Sequence, residues 1–90
     1  MFDVREPAEF DGELGHIAGA RLLPFGELRK RLGELPKEER IVTICRSGGR
    51  SAQAALILEN AGYKQAANLS GGMLRWRTLG LPVAPEKTPS

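Results

Sequence analysis

Short apolar runs alternate with amphipathic segments along this chain and predict alternating strands and helices. The clearest strand covers residues 41–45, a β-branched run with charged residues before it and glycines soon after it. A continuous apolar run of this length is typical of a strand buried on both faces. Shorter apolar runs predict three more strands, at residues 1–4, 21–23 and 66–69.

Helical segments are predicted between these strands. The strongest covers residues 51–61, where Ala55, Leu58 and Ala61 would share one side of the helix. Gly62 follows as a C-terminal stop. Leucine spacing and proline or glycine boundaries predict shorter helices at residues 6–11, 25–32 and 72–79.

The order of these elements indicates an α/β fold with a central, mainly parallel sheet flanked by helices. Ligands of such sheets bind outside the carboxyl ends of the strands. The best strand ends at Cys45 and the best helix begins a few residues later, so this junction is the predicted site. Residues 1–84 are expected to form one domain, and residues 85–90, which are polar and contain proline, a flexible C-terminal tail.

Composition narrows the classes of function. The 90 residues are 41% hydrophobic and 27% charged, which is typical of one small globular domain. A net charge of +2 with 6% aromatic residues argues against nucleic-acid binding, and no apolar stretch is long enough to cross a membrane. The basic residues 29–31 lie among glutamates and predict a solvated helix face. A single cysteine cannot form an internal disulfide, so a cytoplasmic location is expected.

The candidate chemistry lies in the loop that follows Cys45, the only cysteine. Glycines allow backbone N–H groups to turn inward as a nest for an anion, and the next helix adds its positive N-terminal end. Two arginines add charge nearby. These features favour a thiolate, so the pKa of the thiol is predicted below the free-cysteine value of about 8.5. The candidate site residues are Cys45, Arg46, Ser47, Gly48, Gly49, Arg50 and Ser51.

Cys45 and His16 also have other interpretations. A lone cysteine at a strand end is most often a small buried hydrophobic residue, but such a cysteine needs no glycine- and arginine-bearing loop. One cysteine and one histidine are too few for a zinc site. His16 could reach Cys45 only through the fold, which leaves a Cys–His dyad open without supporting it.

Four motifs in register resemble the rhodanese family over about residues 2–84. They are Asp-Val-Arg-Glu at 3–6, Gly-His-Ile-Ala-Gly-Ala at 15–20, Cys45 with its loop, and Gly-Gly-Met-Leu-Arg-Trp at 71–76. The resemblance implies a rhodanese-like three-layer α/β fold. Its N-terminal elements are expected to be shortened here, because the family usually has a further segment before the first aspartate.

The resemblance also implies a sulfurtransferase. Cys45 would take sulfane sulfur from thiosulfate or a persulfide, hold it as a cysteine persulfide, and pass it to a thiol or cyanide. Loop amides from Arg46 to Arg50 would hold the terminal sulfur, the two arginines would attract the anionic donor, and Ser51 would cap the helix. No cofactor beyond this covalent intermediate and no metal are implied. A thiol or protein acceptor and a monomer or weak dimer are expected.

Two rival functions, each acting with partner proteins, remain open. One is a persulfide sulfur carrier, whose motifs are identical, and the other is a non-catalytic rhodanese-like binding module, which is disfavoured because such modules often lack the cysteine. Phosphatase activity is disfavoured because phosphatases with a comparable loop have one more residue between cysteine and arginine than separates Cys45 from Arg50. The resemblance implies that this shorter loop suits a single sulfur atom better than a phosphate.

The remaining motif residues have structural interpretations. Asp3 and Arg5 are expected to join the first strand to neighbouring loops through an ion pair. His16 is expected to be a hydrogen-bonded structural residue, and Trp76 a core residue whose indole N–H finds a partner. The glycines at 71–72 are expected to permit the turn into the last helix.

Overall fold

A central parallel sheet organises the molecule, as seen in a computed structural model that describes residues 1–84. Within this range four strands pair in the order β2-β1-β3-β4, and every pairing is parallel. The predicted α/β class with flanking helices is confirmed, and the tail predicted at 85–90 lies outside the described residues. The strands are β1 (Phe2–Asp3), β2 (Arg21–Leu22), β3 (Ile41–Ile44) and β4 (Ala66–Asn68).

Helices connect the strands, at α1 (Pro7–Phe10), α2 (Gly49–Asn60) and α3 (Gly72–Thr78). Among residues 1–84, no helix combines the length and apolar character that a membrane crossing requires. In α2 the buried face consists of Ser51, Ala54 and Leu58. The predicted face was therefore correct at Leu58 and at Ala61, which is half-buried against the core, whereas Ala54 is buried in place of Ala55.

The helix predicted over residues 25–32 is wrong in type. This stretch forms two 3₁₀ segments, Phe25–Glu27 and Arg29–Glu34, with Leu28 buried between them. Each segment contains a glycine, and glycine disfavours an α-helix by about 1 kcal/mol relative to alanine. The segment remains amphipathic because Leu28 still packs into the core. Arg31 pairs with Glu27 and Glu34 on the outer face, as predicted for a solvated cluster.

Buried side chains lie on both faces of the sheet. Ile17, Ile44 and Met73 form one cluster on the α3 side, and Trp76 packs against it. Trp76 also donates its indole N–H to the carbonyl of Pro82 at 2.7 Å, as predicted. The larger cluster, on the α2 side, contains Phe2, Val4, Leu23, Leu28, Leu35, Ile41, Cys45, Ala54, Leu58 and Tyr63.

A buried ion pair joins β1 to the loops around α1. The Arg5 guanidinium donates to both carboxylate oxygens of Asp3, at 2.8 and 2.6 Å, and to the carbonyls of Glu9 and Gly15. Asp3 and Arg5 are at most 1% exposed. His16 shares a 3.0 Å hydrogen bond between Nδ1 and the carbonyl of Phe10, and the two rings stack. The structural roles predicted for the three motif residues are confirmed.

Candidate active site

The sulfur of Cys45 faces the amides of the loop that follows β3. Cys45 is 1% exposed, and the main-chain N–H of Gly48 donates to its Sγ at 2.9 Å. Gly48 has φ of 111°, in the left-handed region that favours glycine, and is the N-cap of α2. The helix therefore begins at Gly49, two residues earlier than predicted, and the amide of its N-cap residue donates to the sulfur.

Ser51 is the second polar group at the sulfur. Its Oγ lies 3.4 Å from the Sγ of Cys45 and donates to the carbonyl of Gly48 at 3.1 Å. The prediction that Ser51 caps the helix is wrong, because Gly48 occupies the cap and no side chain caps the helix there. A serine hydroxyl has one hydrogen, so it can turn from the Gly48 carbonyl to the sulfur when the thiol ionises.

These contacts explain the acidity of the thiol. Burial raises the pKa of Cys45, but the Ser51 hydroxyl and the main-chain N–H groups of Ser51, Gly48 and Ser47 lower it. The net pKa of Cys45 lies below the ordinary value for a thiol, in the direction that the loop sequence predicts. Of these amides, that of Gly48 makes a hydrogen bond to the sulfur, and those of Ser47 and Ser51 act on its pKa. The same role for the amides of Arg46, Gly49 and Arg50 stays a prediction.

Arg50 is held by a residue of α1. Its guanidinium donates two parallel hydrogen bonds to the Glu9 carboxylate, at 2.7 and 2.8 Å. Hydrogen bonds from Arg50 lower the pKa of Glu9 to about 2, against the opposing effect of burial. The same pairing raises the pKa of Arg50, to which the negative charge of Cys45 also contributes. Arg50, which the sequence predicts to attract an anionic donor, is thus ion-paired with Glu9, and its role toward a donor stays a prediction.

The surroundings of Arg46 differ from those of Arg50. Its side chain is exposed, and among the described residues no carboxylate comes within ion-pair distance of it. It lines a cavity of about 410 Å³ beside the loop. Ser47 and Gly49 are exposed at the loop surface. The other residues that line this cavity are Arg5, Ala8, Glu9, Gly12, Glu13 and Leu14.

The first turn of α3 holds the start of the loop. The main-chain N–H of Met73 donates to the carbonyl of Cys45 at 2.9 Å, and that of Leu74 donates to the carbonyl of Arg46 at 3.0 Å. A Cβ on Gly72 would lie 2.4 Å from the Cys45 carbonyl oxygen. Sequence reasoning assigned the glycine pair at 71–72 only to a turn, so this contact was missed. The pair of adjacent glycines was the available signal.

Thr43 fixes the other side of the junction. Its buried hydroxyl donates to the main-chain carbonyl of Ser51 at 2.7 Å, which joins β3 to the first turn of α2. Nothing in the strand pattern distinguished Thr43 from its apolar neighbours. Together these contacts hold the loop around a sulfur that several donors surround. Such a site can stabilise a thiolate or another sulfur anion bonded to it.

Comparison with known proteins gives consistent results. The sequence profile described as "Rhodanese-like domain" matches residues 1–79. A protein of Allochromatium vinosum named a sulfurtransferase is 44% identical over 87 residues, which cover 96% of this chain and 79% of that protein. A putative sulfur carrier protein of Bacillus subtilis is 41% identical over 76 residues, which cover 84% of this chain but 40% of that protein. A crystal structure of a rhodanese-related protein from Thermoplasma volcanium matches with a TM-score of 0.85 at 35% identity, covering 94% of this chain and 82% of that chain.

Proposed function

Because this chain belongs to the rhodanese-like domain family, we propose that it is a sulfurtransferase with Cys45 as its nucleophile. It takes sulfane sulfur from thiosulfate or a persulfide, holds it as a persulfide on Cys45, and passes it to a thiol or to cyanide. The observation that carries this proposal is the 2.9 Å hydrogen bond from the Gly48 amide to the Cys45 sulfur. That amide supports a negative charge at the place where chemistry would begin.

The loading step needs only the thiolate and the donor. The Cys45 thiolate attacks the outer sulfur of thiosulfate, a new S–S bond forms, and sulfite leaves with the electron pair of the broken S–S bond. The persulfide keeps the negative charge on its terminal sulfur. An acceptor thiolate or cyanide then attacks that sulfur and the Cys45 thiolate leaves. The cycle needs no cofactor, and the single cysteine suits a reducing compartment such as the cytoplasm.

The arrangement of donors favours the persulfide as an intermediate. The amides of Ser47, Gly48 and Ser51 lower the pKa of Cys45 because they stabilise its charged form. We infer that the terminal sulfur of a persulfide would lie against the same amides. Preorganised main-chain donors of this kind stabilise developing negative charge without reorganisation during the reaction.

Intact mass measurement tests the loading step. Purified protein is incubated with thiosulfate, and we expect a gain of one sulfur atom that reductant removes. Cys45→Ser is the matched control and should gain none. Addition of cyanide should release thiocyanate from the loaded protein. Thiocyanate production by Cys45→Ser at the wild-type rate would overturn the assignment of the nucleophile.

A second candidate function is that of a sulfur carrier, with a partner protein as donor or acceptor. Two observations favour it: the relative named a putative sulfur carrier, and the engagement of Arg50 by Glu9, which weakens the attraction for a small anion. Slow turnover of thiosulfate with fast sulfur transfer to a protein thiol would support the carrier. Failure of Cys45 to accept sulfur from any donor would indicate a binding module instead.

A further inference from the structure

The Glu9–Arg50 pair places a carboxylate of α1 against the helix that begins at the candidate active site. The two hydrogen bonds are parallel and short, and about a third of each side chain is exposed. The Arg50 guanidinium donates from both terminal nitrogens to Glu9, so the pair presents little net charge to an approaching ligand. The positive charge that the loop sequence provides at Arg50 is therefore largely cancelled in the folded protein.

The cavity beside the loop likewise has little net positive charge. Glu9 and Glu13 line it together with the exposed Arg46, while Arg5 is already paired with Asp3. Because Glu9 is paired with Arg50, the charged side chains of this lining that have no ion pair among residues 1–84 are Glu13 and Arg46. Their charges are opposite, so the lining offers a doubly charged donor no excess positive charge.

We propose that Glu9 is a specificity-determining positioning residue, which holds Arg50 away from the donor and so favours singly charged sulfur donors over doubly charged thiosulfate. This inference rests on the proposed sulfur transfer at Cys45. Glu9 does not touch the reacting atoms, and it acts through the orientation and charge of Arg50. The substrate class it selects is a persulfide or thiosulfonate monoanion.

Two donors that differ by one charge make the test specific. Thiosulfate is a dianion, whereas methanethiosulfonate carries the same type of sulfane sulfur as a monoanion. In each case the Cys45 thiolate forms a bond to that sulfur and the S–S bond of the donor breaks. Sulfite leaves from the first and methanesulfinate from the second, each with the electron pair. The readout is the ratio of kcat/KM for thiosulfate to kcat/KM for methanethiosulfonate.

Glu9→Gln removes the charge and keeps the size. Glutamine also suits the capping box at the start of α1, where the Glu6 amide donates to the Glu9 side chain. Arg50 would then carry an uncompensated charge near the sulfur. We expect the donor ratio to rise about fivefold at low salt and to return toward the wild-type value in about 1 M salt.

Two further variants separate the release of Arg50 from a general loss of negative charge in the cavity. Glu9→Asp keeps the charge but is too short to accept both hydrogen bonds without a shift, so the ratio should rise by a smaller factor. It also serves as the test if Glu9→Gln fails to fold. Glu13→Gln removes another carboxylate of the same cavity without contacting Arg50, and should leave the ratio near the wild-type value.

The outcomes are distinguishable. Loading from both donors with a raised ratio in the Glu9 variants alone supports the inference. An unchanged ratio in both Glu9 variants, or an equal rise in Glu13→Gln, overturns it while the sulfur transfer itself stands. Absence of sulfur transfer to wild-type Cys45 from either donor overturns the proposed function, and this inference with it.

Discussion

The main-chain N–H of Met73 lies 2.9 Å from the carbonyl oxygen of Cys45, so the first turn of α3 holds the residue that carries the thiol. The next amide of α3, from Leu74, holds the carbonyl of Arg46 in the same way. The orientation of the sulfur toward the loop amides therefore depends on two helices, of which only α2 was evident from the loop sequence.

Gly72→Ala should damage this support. Its φ is +57°, and a Cβ would lie 2.4 and 2.7 Å from the carbonyl oxygens of Cys45 and Arg46. We expect a loss of about 2–4 kcal/mol in the free energy of unfolding and about a tenfold fall in kcat/KM for sulfur transfer. Urea unfolding and the thiocyanate assay measure the two effects.

Gly62→Ala is the matched control for Gly72→Ala. Gly62 also has a positive φ, of +96°, but a Cβ there meets nothing within 4 Å. It should cost about 1 kcal/mol of stability and leave kcat/KM unchanged. Equal losses of activity in the two variants would mean that the close approach of α3 does not position Cys45.

Ser51→Ala should make the thiol less acidic. The variant loses the hydroxyl that stabilises the Cys45 thiolate but keeps the amide of residue 51. The midpoint of the alkylation rate against pH should move to higher pH, and kcat/KM should fall by about tenfold because a hydrogen bond to a charged group is lost. Ser47→Ala, at an exposed serine of the same loop, should leave the midpoint in place. An unchanged midpoint in Ser51→Ala would show that the serine hydroxyl does not stabilise the Cys45 thiolate.

Arg5→Lys should destabilise the fold strongly. The buried guanidinium serves Asp3 and the carbonyls of Glu9 and Gly15, and a lysine cannot reproduce this planar arrangement. Breaking a buried pair of this kind costs about 3–5 kcal/mol. Arg31→Lys, at an exposed ion pair, should leave the stability nearly unchanged. Similar midpoints of urea unfolding for the two variants would contradict the structural role of Arg5.

The Glu9–Arg50 pair should also make stability depend on pH. The pKa of Glu9 falls from 4.5 to about 2 in the folded protein, so its contribution is complete above pH 4.5 and is lost as the pH falls toward 2. Because the pair is partly exposed, the contribution should be about 1 kcal/mol or less. Glu9→Gln should therefore flatten the acid side of the stability curve, measured by chemical denaturation. An acid side as steep as that of wild type would contradict the pairing.

Local patterns predicted most of the elements and the position of the site. The β-branched run before Cys45 and the glycines after it predicted a buried strand, a turn and a helix, and all three are present. Helix type at Arg29–Glu34 and the helix start at Gly49 were predicted incorrectly, because glycines change the local backbone there and the apolar pattern does not show their effect. The partner of Arg50 could not be predicted from the sequence, because Glu9 lies 41 residues away and no local pattern joins the two.

The sequence by itself determined the α/β class, the place of Cys45 at the end of the best strand, and the direction in which the pKa of its thiol is shifted. These properties follow from hydrophobic periodicity and from main-chain donors within a few residues of the sulfur. Only the tertiary structure decided which charges remain available around the thiol and what supports the loop from α3. Both depend on groups far apart in the chain, which the parallel sheet brings together at the carboxyl ends of its strands.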